Sequence, residues 1–451
     1  KRTIHVLQNR TSLKTRDSGD AGKDRRSARG HPRKRRPPPH VKLPFLQNKD
    51  PIYMNRHNPG RIPGDRFLHS PGPTHVPAEV LNAMHRQPID HGDPRLEQLI
   101  SVCETGLRRV LQTAKADIFI YVSNGHGVWE ATIENLLAPG QAVLIPGSGH
   151  FSEQWAIQAE ATGRRVMRTP YREGYPIDPD AVEQVLRADN KREIVAVFAV
   201  HTDTASSATC DLKAIRAAID AAGHPALFVA DIVASLGAAP FAMDALGVNV
   251  AVGASQKGLM CPPGFGFLAV DARAAVIAAN NPAPRYYWDW GRRKADYSYR
   301  KFCGTAPQSL LFGLEAALAL LEREGLAAVH DRHALLARAV QAAVACWSRE
   351  GAVSLHCRVP EARSVSVTTI DVRPGIDVEA LRSVARERFQ VAFAGALGPQ
   401  LGRAFRIGHL GDVNAAMILG CLAGIEAAML VQGIPFGRDG VQKAVDCLAA
   451  G

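Results

Sequence analysis

The sequence predicts an α/β protein: a mostly parallel sheet in a large domain, covered by helices on both faces, then a smaller α+β C-terminal domain. Three observations predict it. Helix-like and strand-like segments alternate from residue 67 onward, and the strands are continuous apolar runs, as in sheets buried on both faces. The texture changes after Gly351, where long helices give way to strands mixed with helices, and the smaller domain is read as beginning at about residue 325. With 46% of 451 residues hydrophobic, there is ample apolar material for a large core.

The elements follow in order. Leu, Ile and Val recur at helical spacing over residues 79–86 and 95–113. Residues 118–122 are a short β-rich run, and a helix over 127–137 is closed by Pro139-Gly140. Strand 142–145 leads to helix 152–162, which Gly163 stops. Strand 165–168, helix 178–188, strand 194–200, helix 212–222 and strand 227–230 continue the alternation, and strands 248–252 and 265–270 complete it. Two Ala/Leu-rich helices follow, 308–324 and 330–349. Beyond Gly351 come strand 364–372, helix 378–388, strands 391–393 and 405–407, and helix 414–431. The expected organisation is a basic tail 1–66, a large domain 67–324 and a small domain 325–451.

The net charge of +11 suggests a polyanion partner until it is located. Residues 1–53 hold 15 Lys and Arg against 4 Asp and Glu, and the other 398 residues hold 39 of each sign. The tail is rich in Arg, Lys, Pro and Gly and cannot bury enough apolar surface to offset chain entropy. A nucleic-acid arm and a transit peptide are two readings of it. The favoured reading starts the protein at or near Met54, so nucleic acid is not expected as a partner. Eight Cys are scattered with no CxxC spacing, which reads as reduced thiols of a cytoplasmic protein. No run of about 18 apolar residues offers a membrane span, and no metal-ligand spacing is present.

Three sites fall at strand ends, where ligands of such sheets bind. The first is Ser123-Asn124-Gly125-His126-Gly127, a Gly-rich turn opening a helix. Such a turn presents unpaired N–H groups and the positive end of the helix dipole, which suits a phosphate. It lacks the GxGxxG spacing and the Walker lysine, and alone it fits a plain β–α turn equally. The second is Asp231, after the apolar run Ala226-Leu227-Phe228-Val229-Ala230. A carboxylate there needs a cationic partner, and a helix cap or core salt bridge is the alternative. The third is Ser255-Gln256-Lys257-Gly258, in Gly/Pro-rich apolar surroundings. Desolvation would turn the Lys257 amine into a nucleophile, and an exposed loop lysine is the alternative. A phosphate cradle, a strand-end Asp and a desolvated Lys in this order are what a pyridoxal-phosphate enzyme needs.

Further motifs accompany them: Ser70-Pro71-Gly72-Pro73-Thr74, Asn124 through Ala131, His201-Thr202-Asp203-Thr204-Ala205-Ser206-Ser207, Ala230-Asp231-Ile232-Val233-Ala234-Ser235, Pro262-Pro263-Gly264 and Arg406-Ile407-Gly408-His409. Through these the chain resembles the class V aminotransferases of pyridoxal-phosphate fold type I. Within that class it resembles the alanine–glyoxylate, serine–glyoxylate and pyridoxamine–pyruvate group. The likeness runs over roughly residues 67–428. It implies that Lys257 forms the internal aldimine and then moves the α-proton, and that Asp231 pairs with the pyridine nitrogen. It implies phosphate contacts from Asn124, Gly125, His126 and Gln256, and from Thr305 across to a neighbouring subunit. Phe151 would stack on the ring, Thr204 would contact the ring hydroxyl, and Arg406 would grip the substrate carboxylate, with a structural ion pair as the rival role. Trp129 reads as a core residue and is left out of the site.

The chain departs from the family pattern at three places. Ser207 stands where the family has Gly, Phe302 where some relatives have a phosphate-binding Tyr, and Asn124 where a small hydroxyl is usual. The implied function is a ping-pong transamination between a small amino acid (alanine or serine) and a small oxo acid (glyoxylate or pyruvate), in a cytoplasmic homodimer with pyridoxal 5'-phosphate. Transamination of free pyridoxamine with pyruvate is the alternative in the same fold. Nucleic-acid binding by the tail, or a non-catalytic descendant of the fold, are the alternatives of other classes.

Overall fold

The computed structural model describes residues 64–451. The readings of the basic segment, including a start near Met54 and a nucleic-acid arm, fall outside the described residues but for 64–66.

A seven-stranded sheet organises the first part of the fold. Its order is Asp117–Ser123, Gly264–Val270, Val250–Ala254, Leu227–Asp231, Ile194–Val200, Ala142–Ile145 and Arg165–Arg168. Gly264–Val270 pairs antiparallel with both neighbours, and the pairings among the last five strands are parallel. Both faces are buried, which explains the unbroken apolar runs. In Ile194–Val200, Val197 and Ala199 enter one core while Ala196, Phe198 and Val200 enter the other. In Leu227–Asp231, Phe228 and Ala230 face the first core, and Leu227 and Val229 the second. Burial of each Val, Leu or Phe among them is worth about 1.5–3 kcal/mol. Helices Pro94–Leu111, Pro179–Ala188, Leu212–Ala221 and Gln308–Glu324 cover one face, and Gly125–Leu136, His150–Ala161 and Ala272–Asn280 the other.

A second, five-stranded sheet runs Phe67–His69, Val391–Gly395, Ala404–Gly408, Val367–Val372, Val353–Leu355. It has its own core, shared with helices Leu326–Trp347, Val378–Arg388 and Ala415–Val431. Gly325, at φ +84°, joins Gln308–Glu324 to Leu326–Trp347, and the separate cores support a division there, which we retain as a proposal. One placement is corrected. Phe67–His69, assigned from sequence to the large domain, pairs parallel with Val391–Gly395 in the second sheet. Helices Ala272–Asn280 and Gly440–Ala450 are additional to those expected. No helix among the described residues is long and apolar enough to cross a membrane.

Candidate active site

Six of the seven strands in the large sheet point the same way, because Asp117–Ser123 is antiparallel to the one reversed strand. Their carboxyl ends therefore share one edge. There, Asn124, Gly125, His126, Trp129, Phe151, Thr202, Thr204, Asp231, Val233, Gln256 and Lys257 surround a cavity of about 150 Å³.

Asp231 ends its strand inside this cavity wall, 4% exposed. Its Oδ1 accepts from the Val233 amide at 2.7 Å and its Oδ2 from Trp129 Nε1 at 2.8 Å. Burial pushes its carboxyl up to about 6, against the pull of those two donors and of Lys257. Lys257 sits in the loop after Val250–Ala254. Burial, helped by the Arg406 cation, lowers its amine to about 8, and Asp231 acts the other way. Nζ donates to the Pro71 carbonyl, and the Lys257 carbonyl accepts from Thr74 Oγ1 at 3.1 Å. The Ser70–Thr74 motif thus wraps the lysine. Gly72, at φ +113°, has no room for a side chain: a Cβ would lie 2.4 Å from Lys257 Cδ.

Helix Gly125–Leu136 begins at the cavity, two residues earlier than its apolar spacing suggests. The Asn124 side chain caps it by accepting from the Gly127 amide at 3.2 Å. The Gly125 and His126 amides take no partner among the described residues. Gln256 Oε1 is buried and also without a partner. The Gly125 and His126 amides thus present open donors at a helix N-terminus, whereas the Gln256 Oε1 is an acceptor.

Phe151 borders the cavity, its amide donating to Asp203 Oδ2 at 2.7 Å. Asp203 is fully buried, and burial raises its carboxyl. Arg406 is not among the residues bordering the cavity, but it bonds Thr204, which is. Its Nε donates to the Gly395 carbonyl at 2.7 Å, and its Nη1 to Thr204 O and Oγ1 at 3.2 and 3.4 Å. No carboxylate pairs with Arg406 among the described residues, so the structural ion pair is not formed there, and Nη2 remains a free donor. Thr305 is exposed and outside this cavity. Ser207 keeps the left-handed backbone of the glycine it replaces, at φ +54°. Phe302 is buried in the core of the large sheet.

Trp129, read from sequence as a core residue and left out of the site, is indeed buried in the core beneath the large sheet. The residue is 2% exposed, yet it borders the cavity and bonds Asp231. The signal was present, since Trp129 lies one helical turn after Gly125 and His126 and so shares their face. His150 was also passed over. It lies half-buried within electrostatic reach of His126, Asp203 and Arg406, and burial lowers its imidazole.

The model of the family described as aminotransferase class-V matches residues 66–398. The chain belongs to the class V aminotransferases. It is 38% identical to the serine–glyoxylate aminotransferase of Methylorubrum extorquens, over 83% of this chain and 93% of that one. It is also 38% identical to the L-aspartate–glyoxylate aminotransferase of Paracoccus denitrificans, over 81% and 91%. Among solved structures it resembles the pyridoxamine–pyruvate aminotransferase of Mesorhizobium loti, with TM-score 0.77, 27% identity, and coverage of 86% and 98%.

This aminotransferase is a transferase of amino groups between small amino and oxo acids, and its cofactor is pyridoxal 5'-phosphate. The residues present fit that group. A buried carboxylate, a desolvated amine and two open helix-terminal amides line one cavity.

Proposed function

We propose that this aminotransferase moves the amino group of alanine or serine to glyoxylate or pyruvate in two half-reactions, with Lys257 and Asp231 as catalytic residues. The observation that carries the reading is the convergence of Lys257, Asp231 and the open Gly125 and His126 amides on one cavity. The bound cofactor supplies an electron sink that acidifies the substrate α-carbon. Lys257 would carry it and move the proton, which an amine lowered to about 8 does readily near neutral pH. Asp231, ionised above about pH 6, would keep the ring nitrogen protonated. Asn124, Gly125, His126 and Gln256 would hold the phosphate, Phe151 would cover the ring and Thr204 would meet its hydroxyl. Arg406 would take the substrate carboxylate through its free Nη2.

A small, uncharged donor side chain is favoured by the charges present. Among the described residues bordering the cavity, Lys257 is the only Lys or Arg, and Arg406 would serve the α-carboxylate. A dicarboxylic donor would need a further cation. The serine–glyoxylate relative supports serine and glyoxylate. The likeness to the pyridoxamine–pyruvate enzyme supports free pyridoxamine as a second reading. Eight unpaired thiols support a cytoplasmic setting. A homodimer is supported by the exposed Tyr286, Tyr297 and Tyr299, which lie in the segment leading to Thr305.

Visible absorption of the purified protein tests the reading. A yellow protein bleached by alanine or serine is the expected result. A colourless protein that turns over pyridoxamine with pyruvate selects the second reading. Lys257→Ala is expected to abolish transamination, and full activity in that variant would sink the assignment.

A further inference from the structure

Among the described residues, Asp231 has one side-chain donor, the indole of Trp129. Nε1 reaches Oδ2 at 2.8 Å, while the Val233 amide occupies Oδ1. The carboxylate is therefore gripped at both oxygens, which sets its plane as well as its position. The indole is itself held. Its ring stacks on Trp155 at 5.3 Å and 13°, and Trp155 stacks on Phe198 at 4.6 Å and 28°. His126 packs against the Trp129 ring at 4.6 Å. Helix Gly125–Leu136 thereby places the open phosphate-facing amides and the indole donor with one rigid element.

Packing alone does not account for the bond. Trp155 and Trp290 are also buried, and their Nε1 atoms have no partner among the described residues. A phenylalanine would fill the same stack, so the indole N–H of Trp129 is the part that stacking leaves unexplained. A donor to a carboxylate stabilises the ionised form and fixes which lone pairs remain free. The charged groups acting on Asp231 are Lys257, which favours ionisation, and Asp203, which opposes it.

We propose that Trp129 is a positioning residue of the active site, whose indole N–H holds Asp231 ionised and oriented for the cofactor's ring nitrogen. This rests on the reading of Asp231 given above. Trp129→Phe keeps an aromatic ring in the stack and deletes only the donor. Titration of the apoprotein with pyridoxal phosphate is expected to show binding weakened about tenfold or more, the scale of a hydrogen bond to a buried charge. The pH below which binding fails should move upward, kcat should fall, and the KM for the amino donor should hold. Wild-type affinity and pH profile in a folded Trp129→Phe protein would overturn the proposal alone. A wild-type protein that takes no cofactor would overturn the functional reading and the proposal with it. A second measurement covers a variant that does not fold. In the apo wild type, one of the five indole N–H resonances is expected to titrate with Asp231 and to stop titrating in Asp231→Asn. If no indole resonance responds to that substitution, the proposal fails.

Discussion

At Asp231, the proposed role and stability pull in opposite directions. Burial raises its carboxyl from the ordinary range to about 6. The folded chain thus holds that proton more tightly than the unfolded chain does between about pH 4 and 6. The stabilising contribution is complete below that window and is lost as pH rises through it, up to about 3 kcal/mol for two pH units. Asp231→Asn has no charge to bury, but it leaves either the Trp129 or the Val233 donor unpaired. Urea unfolding of the apoprotein is expected to show this variant more stable than wild type at pH 8, by about 1–2 kcal/mol, and no more stable at pH 4. A difference independent of pH would contradict the argument. Composition hinted at this conflict, since an Asp closing a run of five apolar residues needs a reason. Which donors answer it was not legible, because Trp129 is 102 positions away.

Elements were legible where the local pattern and the tertiary environment agree. Strands Ala142–Ile145, Arg165–Arg168 and Ile194–Val200 have the bounds read from sequence. Phe67–His69 was missed because three residues carry no period, and the strand exists only through a partner more than 300 positions on. The loop at Ser207 shows backbone geometry kept without its usual residue. Its amide donates to the Asp203 carbonyl at 2.8 Å, and its own carbonyl accepts from the Ser364 amide at 2.9 Å. Those bonds hold a serine at φ +54°, a region that disfavours a Cβ by about 1 kcal/mol. Ser207→Gly is expected to raise stability by about 0.5–1 kcal/mol in chemical denaturation with activity retained. A clear loss of stability would show that the loop is not strained.

Over the whole molecule, the site depends on both sheets. Gly408, at the end of Ala404–Gly408, packs on the Ser70–Pro71 backbone, where a Cβ would lie 2.4 Å from Ser70. Pro71 in turn contacts Lys257, so the strand that carries Arg406 also braces the loop around the lysine. The assembly is expected to extend this dependence. Sedimentation should show a dimer, and Thr305→Ala should weaken cofactor binding several-fold without changing the dimer. A monomer with full cofactor affinity would contradict both the dimer and the role of Thr305.

Residue order alone settles the fold class and the family, because apolar runs, turn glycines and motif spacing are local or follow chain order. It also singled out Lys257, Asp231 and the Asn124–His126 turn, whose chemistry is unusual for their surroundings. Only the folded chain decides which of these groups meet and what each one feels. Burial lowers Lys257 and raises Asp231, the Ser70–Thr74 loop closes on the amine, and an indole once read as plain core becomes a hydrogen-bond donor. These outcomes depend on desolvation and on contacts between residues up to 186 positions apart, and no local pattern in a sequence encodes either.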